Sequence, residues 1–388
     1  MANYKDLFTE FEAVSKSQWE QQVIKELKGR AKKELEWGIT SDWQLPPFYH
    51  PEDNVQSIGP ILAGKVNNDW EIGEDIWVED IELANKAALQ ALKNGVESIC
   101  FVLNKNIDSL ATLEQLMDAI KPSYISVYFK LMESDGLIDL ATYWKEYIGG
   151  LDVDAAEIKG GIDVDLFEAS NSIDLKKIET IKSFAKTFPN FHFLSSDFQI
   201  YEKDLDGQME TMALTLAKGS EYLNVWSKSD SDGDSQPAPF IFNIEIGNSY
   251  LVEIAKLRAF QMMWTQILEA YGHKDYALIN ASLSAGAYGE DPYSNMIRAT
   301  AMGMSAVLGG VNRLTILPAN ATKETPNDFT RRVARNLQHL FKMESYLDRV
   351  IDPAAGSYYL EELTQKIGAR VWKRFQEIEK GGGYLQLT

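Results

Sequence analysis

The sequence predicts an α/β fold: a (β/α)8 barrel preceded by an N-terminal arm with helical and extended segments. Two observations indicate the barrel. From Ile58 onward, strand and helix patterns alternate to the end of the chain, which favours parallel strands joined by right-handed crossovers. Eight strand patterns can be counted, the number that closes such a barrel. A doubly wound open sheet is the alternative.

The predicted strands are short apolar or alternating runs between turn signals. They cover residues 69–72, 98–103, 124–129, 161–167, 191–196, 240–246, 277–283 and 313–317. Helical patterns fall between them, for example at 82–93, 110–120, 175–186 and 252–271. The polar run 227–236 is predicted to be a surface loop between the fifth and sixth strands.

Residues 1–57 are predicted to form the arm, and residues 58–388 the barrel domain with its C-terminal helix. Ser17 and Glu20 have the spacing of a capping box, so a helix is expected to begin there. The arm is too short for a core of its own, although five aromatic side chains lie between residues 19 and 49 alone. These must pack on the chain's own barrel or on a partner subunit, which makes the segment a candidate partner-binding arm. They are Trp19, Trp37, Trp43, Phe48 and Tyr49.

Composition excludes several classes of protein. The chain has 388 residues, of which 45% are apolar and 24% charged, as in ordinary globular proteins. Its formal net charge of −19 argues against nucleic-acid binding, which needs basic surface against phosphate. It has no apolar run near the roughly 18 residues that span a bilayer and no signal-peptide layout, so a cytoplasmic location is expected. The single cysteine, Cys100, is expected to be an inert core residue.

The most specific pattern in the chain lies between Asp291 and Thr364. A long helix is predicted at Pro292–Leu308, and the glycine pair after it can end that helix. Four motifs follow one another in this stretch. They are Asn295 to Arg298, Gly309-Gly310, Asp328 to Asn336 and Asp352 to Tyr358.

In this order the four motifs resemble the acyl-CoA mutases that use adenosylcobalamin, methylmalonyl-CoA mutase above all. The barrel of that family ends with N-x-x-R in a helix, a double glycine before a strand, D-F-x-x-R-x-A-R-N, and D-P-x-x-G-S-Y. The resemblance covers most of the chain and is weakest between residues 60 and 190.

The helix that begins near Asp328 is predicted to be amphipathic. Its expected apolar face consists of Phe329, Val333, Leu337, Leu340 and Phe341. The same helix carries three arginines that are predicted to make structural ion pairs or helix-end contacts rather than to bind phosphate. These are Arg331, Arg332 and Arg335.

The resemblance implies a mutase site at the C-terminal ends of the strands, with the CoA arm of the substrate along the barrel axis. Matched residue by residue, the family's donors are replaced. The tyrosine and histidine become Phe198 and Gln199, the arginine and serine become Pro239 and Ile241, and the histidine and glutamine become Ala281 and Leu283. Without arginine and histidine a site cannot polarise a thioester carbonyl, so no catalytic residue is predicted here. Phe240 and Phe242 are expected to fill the channel for the CoA arm.

The chain also departs from the family's cofactor pattern. None of its four histidines lies in the D-x-H-x-x-G sequence that supplies the lower ligand of cobalt, and no cysteine–histidine cluster has zinc spacing. The chain stops within the linker that leads to the family's cobalamin-binding domain, so that domain is expected to be absent. The resemblance therefore implies adenosylcobalamin in the holoenzyme, bound by a partner subunit, and no cofactor or metal in this chain.

These inferences favour the small, non-catalytic subunit of a heterodimeric mutase. Its partner would be a large subunit that interconverts methylmalonyl-CoA and succinyl-CoA, and the chain could self-associate when that partner is absent. No nucleic acid or membrane is expected as a partner. Two alternatives stay open: an active mutase barrel of altered specificity that needs a separate cobalamin protein, and an acyl-CoA-binding regulatory module.

Overall fold

A parallel sheet that curves into a barrel dominates the computed structural model, which describes residues 12–53, 55–58, 61, 65–167, 173–200, 204–228, 240–274 and 276–387. A two-stranded antiparallel ribbon precedes the barrel; it consists of β1 (Trp37–Gly38) and β2 (Gln44–Leu45). The barrel strands are β3 (Glu71–Val78), β4 (Ser98–Leu103), β5 (Ser126–Leu131), β6 (Lys159–Asp163), β7 (Phe191–His192), β8 (Leu194–Phe198), β9 (Phe240–Ile246), β10 (Ile279–Leu283) and β11 (Arg313–Thr315).

The order of the strands confirms the barrel and excludes the open sheet. Strand β3 lies between β4 and β11, so the first barrel strand pairs with the last. The two ends of the sheet meet in residues 191–198, where β7 pairs with β6 and β8 pairs with β9. Because β7 and β8 are two halves of one interrupted strand, the described residues form the eight-stranded barrel that the sequence predicts.

Helices surround this sheet, and α1 lies in the arm. They are α1 (Lys16–Glu26), α2 (Ile81–Lys93), α3 (Leu110–Leu116), α4 (Leu137–Gly149), α5 (Leu175–Thr187), α6 (Leu205–Lys228), α7 (Tyr250–Ala270), α8 (Pro292–Leu308), α9 (Asp328–Met343) and α10 (Tyr358–Lys380). Helix α10 packs across α6 and α7. Among the described residues no helix is long and apolar enough to cross a bilayer.

Most apolar residues of the barrel strands face outward, towards the helices. In β9 the residues Phe240, Phe242, Ile244 and Ile246 belong to this outer core, and the ring centroid of Phe242 lies 4.6 Å from that of Trp264 on α7. The prediction that Phe240 and Phe242 fill the barrel channel is therefore wrong. Successive side chains of a strand point to opposite faces, and both phenylalanines fall on the helix side.

The positions of polar residues along the strand also explain why the predicted bounds of the first barrel strand were wrong. The first barrel strand was expected at 69–72 but runs over Glu71–Val78. Its polar residues Glu74 and Asp75 interrupt any continuous apolar run, although they occupy regular strand positions. The strands predicted at 98–103 and 240–246 are confirmed to the residue. The loop predicted at 227–236 lies outside the described residues except for its first two, which end α6.

The glycine pair after α8 has two separate functions. Helix α8 begins at its predicted residue because the carboxylate of Asp291 accepts hydrogen bonds from the first N–H groups. A Cβ on Gly309 would come within 2.4 Å of the Leu257 side chain on α7, so this glycine permits the close packing of two helices. Gly310 has φ +84°, the left-handed conformation that favours glycine after a helix.

Helix α9 turns a different face inward from the one predicted. Its buried residues are Thr330, Ala334, Arg335, Gln338 and Phe341, whereas Phe329 is 51% exposed and Leu340 is 49% exposed. Glu74 of β3 causes the rotation, since its carboxylate lies under the helix.

The ion pairs predicted for the arginines of α9 are present at two of the three positions. The Arg331 Nε atom lies 2.7 Å from Oε1 of Glu74, and Arg335 Nη1 lies 2.8 Å from Oε2. Arg332 instead places its guanidinium 5.8 Å from the centre of the Phe329 ring. Buried charges require partners of this kind, so Glu74 determines which side of α9 faces the sheet.

A buried arginine joins α7 to the C-terminal motif. Arg258 donates from Nε to Asp352 Oδ1 at 2.8 Å and from Nη1 to Thr364 Oγ1 at 3.0 Å. Its Nη2 atom lies 3.2 Å from Glu361 Oε1. All three partners come from the turn that begins at Asp352 or from α10, so one side chain holds two remote segments together.

The same two carboxylates hold the end of the arm. The backbone N–H of Ile58 donates to Glu361 Oε2 at 3.1 Å, and that of Ile61 donates to Asp352 Oδ2 at 3.2 Å. Gly356 N–H donates to Glu361 at 2.8 Å. Two carboxylates face one guanidinium, so one negative charge is not balanced by a cation. The backbone N–H groups stabilise that charge by donating hydrogen bonds to the two carboxylates.

The described half of the arm nearest the barrel packs on the chain itself. Leu45 is fully buried, and the guanidinium of Arg370 on α10 lies 5.5 Å from the centre of the Trp43 ring. The Tyr49 ring lies 6.2 Å from that of Tyr359. Two of the five aromatic residues between positions 19 and 49 therefore contact the chain's own barrel.

The other half of the arm is exposed. Helix α1 begins two residues earlier than predicted, because Ser15 and Gln18 rather than Ser17 and Glu20 form the capping box. In the described residues of α1 none is buried. The Trp19 and Phe48 rings stack at 4.5 Å on each other, and Trp37 is 66% exposed. Residues 1–11 lie outside the described part.

We expect Arg258→Ala to lower the free energy of unfolding by about 3–5 kcal/mol, because it leaves two buried carboxylates without their cation. Urea unfolding followed by circular dichroism measures this loss. The free energy of unfolding of Arg258→Lys should lie between those of Arg258→Ala and wild type, since lysine keeps the charge but not the fork of donors. Arg349→Ala is the control, because the Arg349 side chain is 70% exposed. A loss for Arg258→Ala no larger than that of the control would contradict the assignment.

Candidate functional site

The axis of the barrel is lined by polar side chains that alternate with the outward apolar ones. A (β/α)8 barrel usually fills its interior with branched apolar residues. Here β9 turns Asn243 inward, and β5 contributes Tyr128 and Lys130. Arg313 enters from β11 and Asp75 from β3. The axis thus contains a group of charged and polar side chains, which makes it the candidate site.

One cluster in the axis surrounds the guanidinium of Arg313. Its Nε donates to Ser98 Oγ at 2.8 Å, and its Nη2 donates to Asp75 Oδ1 at 2.8 Å. The centre of the Tyr128 ring lies 5.2 Å from the guanidinium carbon. A Cβ on Gly73 would come within 2.8 Å of the Arg313 side chain, so β3 has glycine where the arginine crosses it.

A second cluster is centred on Lys130. Its Nζ lies 3.2 Å from Asp163 Oδ2 and 3.4 Å from Asp197 Oδ2. Ser195 Oγ donates to Asp163 Oδ1 at 2.6 Å, and Asn243 Nδ2 donates to Asp197 Oδ1 at 2.8 Å. Burial disfavours the charged amine, but the attraction of the two aspartates outweighs it and raises the pKa of Lys130. The lysine therefore stays charged at neutral pH and is held by its own neighbours.

Three further side chains pack with Tyr128 in the axis. Cys100, Val102, Tyr128 and Ile241 form a separate buried cluster inside the sheet. Burial raises the pKa of the Cys100 thiol and of the Tyr128 hydroxyl, so neither group ionises at neutral pH. Cys100 is thus the inert buried residue that the sequence predicts, although it lies in the axis rather than under the helices.

Among the described residues, those at the open end of the axis include more carboxylates than cations. The side chains of Asp75 and Asp197 are 33% and 34% exposed, and Asp163 lies beside them. Glu245 also projects here, where its Oε2 accepts from Ile200 N–H at 2.9 Å. Lys130 and Arg313 balance only part of this charge, so an anionic ligand would meet net repulsion at the mouth.

The residues predicted as degenerate site positions lie in three different environments. Phe198, Ala281 and Leu283 belong to the outer core and face the helices; the Nζ atom of Lys256 on α7 lies 5.3 Å from the centre of the Phe198 ring. Ile241 faces the axis. Gln199 follows β8 and is partly exposed. Pro239 lies outside the described residues.

In β8 and β10 the axis-facing residues are therefore neighbours of the predicted ones. Asp197 precedes Phe198, and Asn280 precedes Ala281. The Asn280 side chain faces the Tyr128 hydroxyl inside the barrel and favours its ionised form, against the larger effect of burial on the pKa of Tyr128. The sequence contains a signal for this, because polar and apolar residues alternate in 279–283 and 240–246. The two-residue period of a strand shows which of its positions face the axis. Counting residues along the family motif does not show this.

The histidines of the chain are spread over four separate segments. All four histidines are described, and none lies at the C-terminal mouth. His50 is in the arm, His192 is near the start of the interrupted strand, His273 precedes β10, and His339 lies on α9 with Nε2 3.2 Å from Asn94 O. Among the described residues no group of three or more metal-binding side chains is present.

The described residues define a class of protein, a (β/α)8 barrel whose axis is filled by its own polar side chains. A family model described as methylmalonyl-CoA mutase matches residues 105–387. The chain belongs to the methylmalonyl-CoA mutase family.

Individual relatives have the same family name. A methylmalonyl-CoA mutase small subunit from Porphyromonas gingivalis is 30% identical over 100% of this chain and 66% of its own length. The small subunit from Propionibacterium freudenreichii is 28% identical over 96% of this chain and 63% of its own length. The large subunit from that organism is 32% identical over 51% of this chain and 28% of its length. The chain thus spans a little under two thirds of the length of these small subunits.

We expect Cys100 of the native protein to react with an aromatic disulfide reagent only as fast as the chain unfolds, because the filled axis excludes the reagent. It is the chain's only cysteine, so the released chromophore reports a single site. The control is Met132→Cys in a Cys100→Ser background, since Met132 follows β5 at the mouth and is 63% exposed; it should react at once. Fast stoichiometric reaction of native Cys100 would show that the axis is open.

Proposed function

We propose that this chain is the small, non-catalytic subunit of a methylmalonyl-CoA mutase. The observation that carries the proposal is the filled axis. The family resemblance implies that a CoA arm passes along the barrel. Here Tyr128, Lys130 and Arg313 occupy that space. Lys130 and Arg313 are held in place by ion pairs with aspartates of the same barrel. Moving them aside would break buried ion pairs, which is costly because each leaves an uncompensated charge.

The charge of the mouth supports the same proposal. The substrate of such a mutase is an anion, with a free carboxylate on the acyl group and phosphates on CoA. The carboxylates of Asp75, Asp163 and Asp197 already outnumber Lys130 and Arg313 there. A site that binds an anion needs free donors or cations at the point of contact. Both cations are held by the chain's own aspartates instead.

The relatives support a division of labour between two chains. Proteins named small subunit align with nearly the whole of this chain, and a large subunit aligns with half of it. We therefore assign the rearrangement of methylmalonyl-CoA and succinyl-CoA to a large partner subunit. Adenosylcobalamin belongs to that partner in this proposal, since the histidines of this chain are remote from the mouth.

The exposed half of the arm is proposed to bind the partner. Helix α1, Trp37 and the Trp19–Phe48 stack present apolar surface that the described part of the chain leaves uncovered. Aromatic side chains dominate interface energetics because each hides about 150–250 Å². Trp43, Leu45 and Tyr49 already pack on the barrel and anchor the arm to it.

The chain alone should form no succinyl-CoA from methylmalonyl-CoA and adenosylcobalamin, and addition of the large subunit from the same source should restore turnover. Chromatography of the CoA esters measures this. In the complex, Lys130→Met should leave kcat and KM within about twofold of wild type, because Lys130 contacts no substrate in this proposal. Succinyl-CoA from the chain alone, or loss of turnover in Lys130→Met with the complex intact, would support the active-barrel alternative.

Two truncations separate the anchoring and binding halves of the arm. Removal of residues 1–36 should leave Tm nearly unchanged and weaken association with the large subunit. Removal of residues 1–57 should lower Tm markedly, because it takes away Leu45, and loss of a buried leucine alone costs about 2–5 kcal/mol. Calorimetry and analytical ultracentrifugation measure both. Unchanged association after the shorter truncation would refute the binding role.

A further inference from the structure

We propose that the ε-amine of Lys65 is an acyl acceptor, a modification site that takes an uncharged acyl group from a thioester and forms an amide. The inference goes beyond the proposed function, since it requires neither the large subunit nor mutase turnover. It rests on the contacts of one lysine at the N-terminal end of the barrel, the end opposite the mouth.

Lys65 lies in the segment that leads into β3, and its amine contacts the turn between α8 and β11. The Nζ atom donates to the backbone O of Gly310 at 2.8 Å and to that of Val311 at 3.2 Å. Strands β3 and β11 are parallel neighbours, so both segments enter the sheet at its N-terminal edge. Lys65 is partly exposed, which leaves a route for a small reagent.

The partners of this amine differ from those of other lysines in the barrel. Lys130, Lys256 and Lys342 each place Nζ within 3.2 Å of a carboxylate oxygen. Among the described residues, Lys65 has no carboxylate within ion-pair distance, and both of its acceptors are neutral carbonyls. A charged amine that is shielded from water without a counter-ion is unfavourable, so the contacts of Lys65 favour its uncharged form.

The two carbonyls satisfy an uncharged amine completely. Such an amine has two N–H donors and one lone pair, and each donor has one carbonyl as its acceptor. An ammonium group has a third donor, and the centre of the Tyr276 ring lies 6.0 Å from Nζ, at the outer limit of a cation–π contact. Because both N–H groups of the uncharged amine are used in hydrogen bonds, its lone pair is left to attack an electrophile.

The surrounding charges agree with this geometry. Burial lowers the pKa of Lys65 to about 8, and the negative charge of Asp69 opposes the shift only in part. Asp69 is itself paired with Lys342, whose Nζ lies 2.8 Å from its Oδ1. A substantial fraction of the Lys65 amine is therefore uncharged near neutral pH, and lysines that are desolvated in this way act as nucleophiles in proteins.

The two carbonyls also favour an amide as the product. When the amine attacks a thioester carbonyl, a C–N bond forms, the C–S bond breaks, and the leaving thiolate takes up the proton that the amine gives up. The resulting amide keeps one N–H, which can still donate to Gly310 O or Val311 O. An imine formed with an aldehyde keeps no N–H, so both carbonyls would lose this donor. The negative charge of Asp69 disfavours acyl groups that carry a carboxylate.

The test incubates the full chain with acetyl-CoA over a range of pH. The remaining amines are then blocked with deuterated acetic anhydride in denaturant, and peptide mass spectrometry gives the acetylated fraction of each lysine. Lys86 is the internal reference, because its side chain is 65% exposed and its hydrogen bond with Glu82 raises its pKa. At about pH 8 we expect Lys65 to be acetylated at least about tenfold faster than Lys86, since a far larger fraction of its amine is uncharged.

The pH profile shows whether the folded environment of Lys65 is responsible. The acetylation rate at Lys65 should level off above about pH 8, whereas that at Lys86 should still rise at about pH 10. Asp69→Asn should move the Lys65 profile to lower pH, since it removes a charge that favours the ammonium form. Asp135→Asn, at a side chain that is 86% exposed, should leave the profile unchanged, and circular dichroism checks the fold of each variant. A Lys65 rate no higher than that of Lys86, or one that still rises at about pH 10, would overturn the assignment.

Discussion

The buried guanidinium of Arg258 is the contact that holds the separate parts of this chain together. It lies on α7, inside the helical layer, and binds carboxylates from the turn at Asp352 and from α10. Those carboxylates in turn accept backbone N–H groups where the arm enters the barrel. A lone buried charge would be prohibitive, but a guanidinium with a fork of donors can satisfy several acceptors at once. The arm, the terminal helix and the barrel wall therefore share one electrostatic centre.

The barrel axis uses the same chemistry for a different purpose. Arg313 pairs with Asp75 on the neighbouring strand β3, and Lys130 pairs with Asp163 on β6 and Asp197 on β8, so these ion pairs tie nearby strands together from inside. An interior of this kind is packed but polar, and it leaves anionic substrates without free cations. The ion pairs of the axis therefore contribute to the stability of the barrel itself.

Much of the fold could be predicted from sequence, and the failures share a physical cause. The strand count, the long helix α8 and the glycine pair follow from local patterns. The site positions on β10 and the orientation of Phe240 and Phe242 were misplaced because a residue count along a motif ignores which face of the strand each residue occupies. The inward face of α9 could not be found locally at all. It depends on Glu74, more than 250 residues away in the chain, whose carboxylate draws Arg331 and Arg335 under the helix.

The alternation of a strand also explains how one fold can serve both subunits of a mutase. Inward and outward residues of a strand are neighbours in sequence but lie on opposite faces of the sheet. Side chains such as Tyr128 and Ile241 can fill the axis while Phe129 and Phe242 keep the helices in place. The outer wall then keeps its shape regardless of what the axis contains. One fold can therefore enclose different axes behind the same layer of helices.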